Sequence, residues 1–412
     1  MDASVVYIVG AARTPIGSNR QITIPQPTQS DGPLSGITAP ELGAAAIKGA
    51  VERSRVPPQM ASHVYMGQAL QAGVGQSPSK QAAILAGLSE TIEATTVNKV
   101  CASGLKAVTL AAQEILLGHG SVLVAGGMES MSNVPLYTKR NCAVKDKEKV
   151  LDGRTKDGFE NPYDGLSMGA CADMLAARFQ ISRKSQDEYA LSAFQRASQA
   201  MEMEMFDDEI IPVTCQRGKS AKMSTDDIRS EATFQRLSTL TASFSESGTV
   251  TVGSSCTMAD GASAVVLTNA EVAGEYCRDN RMLARIVSFA DAAAKPVEFA
   301  IAPAKAVEVA LERAQLKVDQ ISFWEINEAF AAVVQITKQL LNLEANKVNV
   351  SGGGIAFGHP LGSSGCRILV SLLHQLMPGQ YGVAAICNAG GGATAMVVQR
   401  LEAGDLGNPV GS

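Results

Sequence analysis

Short apolar, β-branched runs alternate along this chain with longer Ala- and Leu-rich stretches of helical period, and that alternation predicts an α/β fold. Val5–Val9 (VVYIV) reads as a buried strand and Glu41–Arg53 (ELGAAAIKGAVER) as a helix. Val64–Met66 opens another strand, Leu105–Leu117 forms a helix with Ala and Leu toward a core, and Val122–Ala125 is the strand after it. From about 131 to 256 the rhythm breaks. Charge and methionine rise (MEMEMFDDE), the strands are short, and loops such as DGRTKDGFENPYDG interrupt them, which predicts an inserted, more solvent-exposed domain. The α/β rhythm then returns, with strands at Val265–Leu267 and Ala284–Ala290, a helix at Lys305–Ala314 and a strand at Phe323–Ile326. A helix at Arg367–Leu376 and a strand at Gly382–Cys387 complete it.

Two stretches resemble each other within the chain. Residues 97–127 read VNKVCASGLKAVTLAAQEILLGHGSVLVAGG; residues 348–392 contain VNVSGGG and then SSGCRILVSLLHQLMPGQYGVAAICNAGGG. Both run strand, small-residue turn with Ser-Gly, helix with a basic start, strand, glycine cluster. They predict two copies of one α/β unit facing each other. The domain reading is therefore a first half over 1–130, completed by about 257–282, an insertion over 131–256 and a second half over 283–412.

Composition narrows the function classes. The 412 residues carry 35 Lys+Arg against 40 Asp+Glu, a net charge of -5, with no long basic block, so nucleic acid is not an expected partner. No apolar run reaches the length of about 18 residues that spans a bilayer, and no membrane partner is expected. The N-terminus lacks a basic region followed by an apolar core, and GNPVGS at the other end is not a peroxisomal address. The expected compartment is the cytoplasm, or the mitochondrion if a transit peptide was removed. The eight cysteines form no C-x-x-C pair, so metal and redox-disulfide spacings are absent and a reducing interior is expected. VGAARTPIG follows the first strand without G-x-G-x-x-G spacing. GLSMG at 165–169 matches G-x-S-x-G, but no strand precedes it to build a nucleophile elbow.

Four positions carry candidate chemistry. His359, unlike His63, His119 and His374, sits in GGGIAFGHPLGSSG, a glycine-rich turn that can present a rigid imidazole. Cys101 lies in NKVCASGLKAV where a strand passes into a helix. There the unpaired N–H groups and positive dipole end are expected to stabilise a thiolate, the alternative being a buried structural cysteine. Cys387 in AAICNAGGGA ends a strand at the sheet edge where open α/β sheets place ligands. Asn327, beside Glu328 in WEINEAFA, reads either as a helix N-cap or as a side-chain donor to a developing oxyanion.

NKVCASGLKAV, NEAFA, GGGIAFGHPLGSSG and CNAGGGATAM resemble, in this order, the signature segments of thiolases, and the likeness extends through VGAARTPIG, VAGGMESMSN and ADGASAVVL. The resemblance implies duplicated thiolase-type halves in a five-layer α-β-α-β-α arrangement with an inserted loop domain. It also implies a reversible Claisen condensation of two acetyl-CoA to acetoacetyl-CoA plus CoA. By matching position, Cys101 would be the acylated nucleophile and His359 its activator, His359 with a water held by Asn327 would bind the thioester oxygen, and Cys387 would move the α-carbon proton. A second oxyanion hole would use the N–H groups of Cys101 and of the residue two past Cys387. No tightly bound cofactor is implied, coenzyme A being substrate and product.

The chain departs from the family at three places: Ala389 stands two past Cys387 where Gly is usual, Ser167–Met168 replaces a His-Met pair near the pantetheine, and Cys256 replaces a serine beside it. Arg217, with Lys219 and Lys222, is the expected contact for the CoA nucleotide; Phe299, Ala329 and Phe330 match positions around the acyl pocket. KPVEFAIAP resembles the short-chain subgroup. The alternatives are a degradative thiolase for longer 3-ketoacyl-CoA and a thiolase-like acyl-CoA binder without catalysis. Family members are mostly dimers or tetramers, so a homodimer or homotetramer is expected.

Overall fold

The computed structural model describes residues 5–18, 32–140, 150–215, 221–229, 235–277 and 284–402. The first half runs β1 (Val6–Arg13), α1 (Ala39–Ser54), β2 (His63–Gly67), α2 (Pro78–Leu85), β3 (Glu93–Val97), α3 (Ser103–Leu116) and β4 (Val122–Ser130). An excursion holding α4 (Met168–Arg178) and α5 (Arg183–Glu202) follows before the chain returns as β5 (Ala259–Thr268). The second half runs β6 (Ala284–Ala293), α6 (Ala302–Ala314), β7 (Ile321–Ile326), α7 (Ala331–Leu341), α8 (Leu361–Gln375), β8 (Tyr381–Asn388) and β9 (Gly392–Arg400). The strands and helices predicted outside the excursion are present with their predicted type, except the strand expected at VNVSGGG. Most are longer than their hydrophobic signal, because small residues such as Gly10–Ala12 and Gly126–Gly127 continue the strands without adding to it.

The strands lie in the order β7-β8-β9-β6-β1-β5-β4-β2-β3. The order is symmetric about the short antiparallel contact of β1 with β6, where Val6, Tyr7 and Ile8 face Ile286, Arg285 and Ala284. On one side β2 is parallel to β4 and to β3; on the other β7 is parallel to β8. The duplication in the sequence is thus a duplication in space. It breaks at VNVSGGG, where the expected strand shrinks to one bridge between Val348 and Trp324. Asn349 there takes a positive φ of 48° and the glycines after it turn the chain away.

Helices α3 and α8 form the middle layer, each touching strands of both halves, while α1 packs on β1, β4 and β5 and α6 on β6, β8 and β9. The five layers follow. Approach at the centre is close enough to require glycine: a Cβ on Gly127 would stand 1.9 Å from the Gly362 carbonyl oxygen.

The excursion is more helical than its sequence suggested. The paired segments Leu136–Tyr137 with Leu151–Asp152 and Val213–Cys215 with Ala221–Met223 are its short strands, but α4 and α5 dominate it. Along α5 the buried stripe is Tyr189, Ala190, Ala193, Phe194 and Ala197; the first four join the cluster of Trp324 and Ile326 in the second half, and Ala197 joins that of Phe206 and Phe357. The spacing is helical, yet a stripe made mainly of alanine has little apolar contrast with its polar neighbours.

Candidate active site

Cys101 is placed by a strained turn between β3 and α3. Val100 holds φ at +48°, a costly conformation for a β-branched residue. The turn is stitched by the Val100 N–H donating to Asn98 Oδ1 at 3.0 Å and the Lys99 N–H donating to Ser103 Oγ at 2.8 Å. The helix begins only at Ser103, with Ala102 as its N-cap, so Cys101 lies outside the first turn. The N–H groups of Ala389 and of Cys101 itself favour its thiolate, but burial outweighs them and pushes the thiol up to about 12. The expected stabilised thiolate is therefore a neutral thiol here: desolvation by the closed core exceeds what the amide dipoles return.

Cys387 stands next to last in β8, 2% exposed. Burial first, then the nearby sulfurs of Cys101 and Cys256, raise its thiol well above the ordinary range. Cys256, partly buried, is raised to about 12 by burial and by Cys101. Three sulfurs thus share one electrostatic neighbourhood. Around Cys387 one apolar cluster gathers Met168, Phe299, Ala329 and Phe330. Phe330 stacks edge-on to Phe299 at 6.2 Å and to Phe244 at 5.9 Å. Ser167 is the N-cap of α4, its hydroxyl accepting from the Ala170 N–H at 3.1 Å.

His359 follows Gly358, whose φ of +102° a side chain would not tolerate. Its backbone N–H donates to Thr257 O at 2.9 Å, beside Cys256. Its ring bridges Ser364 and Asn327: Nδ1 lies 2.6 Å from Ser364 Oγ and Nε2 3.4 Å from Asn327 Nδ2. Ser364 Oγ donates to Pro360 O at 3.0 Å, so it receives the Nδ1 proton, and Nε2 is left with its lone pair. Burial and the Arg367 charge lower the imidazole to about 3, which keeps it neutral.

Asn327 is not a cap. Its N–H donates to Ala385 O at 3.0 Å, the N-cap of α7 is Phe330, and Asn327 Oδ1 is buried without a protein donor. The neighbouring Glu328 is structural: Oε1 accepts from Tyr189 and Asn349, and Oε2 from the Ile355 N–H. These bonds hold the NEAFA turn against α5 and the GGGIAF loop.

Cys101, Cys387 and Cys256 are linked by the charge each sulfur feels from another, Asn327 and His359 by a side-chain contact, and the two groups join at the backbone. The Asn327 N–H reaches Ala385, two residues before Cys387, and the Cys256 N–H donates to Ala329 O at 3.1 Å. Ala389 is not among the positive-φ residues, whereas Gly390 and Gly391 are, at +90° and +85°. An alanine therefore fits where the family has glycine. Arg217 and Lys219 lie outside the described residues, and Lys222 is exposed. Sequence reasoning gave Ser364 and Phe244 no role. Ser364 was visible in GHPLGSSG, but only the fold turns its hydroxyl toward the ring.

The arrangement supplies a thiol beside amide donors, a neutral base whose unprotonated Nε2 faces Asn327 Nδ2, and a second buried thiol lined by apolar walls. These are the parts of a covalent acyl transfer followed by carbon deprotonation.

Comparison with known proteins agrees. The family pattern described as "Thiolase, N-terminal domain" matches residues 6–271 and "Thiolase, C-terminal domain" matches 280–400. The chain is 50% identical over 402 residues to acetyl-CoA acetyltransferase erg10A, mitochondrial, of Aspergillus fumigatus, covering 96% of this chain and 90% of that one. It is 44% identical over 399 residues to acetyl-CoA acetyltransferase, mitochondrial, of Bos taurus, covering 96% and 92%. The crystal structure of Acat5 thiolase from Ascaris suum in complex with coenzyme A superposes with a TM-score of 0.89 at 34% identity, covering 96% of this chain and 100% of that one.

Proposed function

The chain belongs to the thiolase family, and on that premise we propose that it converts two acetyl-CoA reversibly into acetoacetyl-CoA and CoA through an acetyl group on Cys101. The observation that carries the reading is a pair of buried neutral thiols that sense each other's charge, with a buried neutral imidazole whose Nδ1 is held by Ser364 and whose Nε2 is left unprotonated. His359 Nε2 takes the Cys101 proton, and the sulfur attacks the acetyl-CoA carbonyl. CoA leaves with the Cys387 proton, so that Cys387 becomes the thiolate. That charge forms only after Cys101 has been acylated, which removes the neighbouring sulfur's opposition to it. Cys387 then takes a proton from the methyl carbon of a second acetyl-CoA, and the carbanion attacks acetyl-Cys101. As the carbon–sulfur bond breaks, His359 returns its proton to Cys101, and both thiols are restored.

The developing oxyanions are met by the N–H groups of Cys101 and Ala389, and by His359 with a water on Asn327, whose unsatisfied Oδ1 supports that role. Coenzyme A acts as substrate and product, with no tightly bound cofactor. Met168, Phe299, Ala329 and Phe330, with Ser167 and Cys256 beside them, line the acyl and pantetheine path, and Arg217 is the residue assigned to the nucleotide from the sequence alone. Residues 131–256 act as the inserted loop domain between halves at 1–130 (with 257–282) and 283–412. The edge-on aromatic contacts around Phe330 favour a short acyl chain, so C4 substrate should turn over faster than C10; equal rates would favour the longer-chain reading.

Mass spectrometry after incubation with acetyl-CoA tests the division of labour. Cys101→Ala should form no adduct, whereas Cys387→Ala should acetylate but make no acetoacetyl-CoA; equal loss of acetylation in both would overturn the assignment.

The expected assembly is a homodimer or homotetramer, supported by the exposed Ile84 and Leu85 on α2 beside the edge strand β3, and light scattering would read its mass. Of the two compartments considered, the mitochondrial one is supported by the relatives' names; the cytoplasmic one has no such support.

A further inference from the structure

We propose that Glu129 is a positioning residue for this reaction: its carboxylate ties the turn after β2 to the first turn of α8 and thereby holds His359, carried by the second half, in register with Cys101, carried by the first. The inference rests on the thiolase reading above. Glu129 stands next to last in β4 with no exposure to solvent. Its Oε2 accepts the N–H of Ala69 at 2.9 Å and of Gly362 at 2.8 Å, and its Oε1 the N–H of Leu70 at 3.2 Å. Ala69 and Leu70 belong to the first half. Gly362 lies three residues past His359, in the turn that also carries Ser364, the partner of His359 Nδ1. One side chain thus clamps the base-bearing turn to the nucleophile-bearing half, where the backbones are already so close that a Cβ on Gly362 would stand 2.7 Å from Gln68 Cα.

A carboxylate suits this place because it only accepts, and all three partners only donate. Protonated, it would present an O–H toward amide hydrogens and forfeit at least one bond. Burial raises Glu129 to about 7 against the pull of the three amides, and the titratable neighbours that face it are Asp260 on β5 and the neutral Cys101 thiol. The anion that makes all three bonds therefore prevails above neutrality and is lost below it. Cys101 and His359 lie far from this range, at about 12 and about 3. Glu325 on β7 also lies at about 7, raised by burial, but faces Arg367 and Gln375 rather than this clamp, and serves as the control.

The experiment is the rate of Cys101 acetylation by saturating acetyl-CoA from pH 6 to 8, in the full-length wild type, Glu129→Gln and Glu325→Gln, with thermal melting of each. The wild-type rate should rise through about pH 7. Glu129→Gln should acetylate about tenfold to a hundredfold more slowly, as expected for a displaced reacting group, and lose the inflection. Glu325→Gln should keep it. A Glu129→Gln enzyme within twofold of wild type with the inflection intact would overturn the proposal. Should that variant not fold, the wild type and Glu325→Gln decide: an inflection absent from wild type, or abolished by Glu325→Gln, overturns it, and one kept in both supports it. A wild type that takes no acetyl group at all would instead refute the reaction.

Discussion

At the residue scale the proposed site holds its groups neutral. An ordinary thiol is a few per cent ionised at neutral pH, whereas burial leaves Cys101 at about 12, so the proposed attack depends on His359 accepting the proton as the carbonyl is approached. That dependence makes Ser364 informative. Its hydroxyl fixes the Nδ1 proton and so keeps Nε2 unprotonated, without touching the pocket that holds the acyl group. Ser364→Ala should lower the acetylation rate about tenfold, the cost of one lost hydrogen bond of about 1.4 kcal/mol, and leave KM for acetyl-CoA near its wild-type value; steady-state kinetics would show the split. Cys101, Cys387, His359 and Asn327 could be nominated from the sequence because residue type and neighbouring glycine are local properties. Ser364 and Glu129 could not, because a serine or glutamate acquires such a role only from what faces it.

At the scale of elements, the pseudo-symmetric halves meet where α3, α8 and β4 approach too closely for side chains. Gly127→Ala would drive a methyl group to within 1.9 Å of the Gly362 carbonyl oxygen, and no flexible side chain is there to yield. The expected cost is about 1–3 kcal/mol of stability, as for overpacking elsewhere, read as a lower urea midpoint with unchanged slope. Slowed acetylation should accompany it, since the same turn carries the partner of His359. The hydrophobic pattern found the buried strands and the Leu-rich helices, whose periodicity is strong. It passed over β3 (EATTV), a half-exposed edge strand without an apolar run, and α5, whose buried stripe is mostly alanine.

At the scale of the whole molecule, one buried cation fastens the excursion to the first half. Arg13 on β1 is fully buried, donating through Nε to Glu209 at 2.6 Å and through both Nη atoms to Asp226 at 2.7 and 2.8 Å. Removing it strands two buried carboxylates, so Arg13→Met should destabilise the protein by about 3–5 kcal/mol in chemical denaturation, far more than a surface ion pair would. The sequence by itself determined the alternation of strands and helices, the duplication, and the supply of two thiols and an imidazole flanked by glycine, because periodicity and residue chemistry are local properties. Tertiary structure decided which of those groups are charged, which nitrogen of His359 is unprotonated, that Asn327 is not a helix cap, and that Glu129 reaches Gly362 across 233 positions of chain. Each of these depends on desolvation and on hydrogen bonds between residues far apart along the chain, which no stretch of sequence contains.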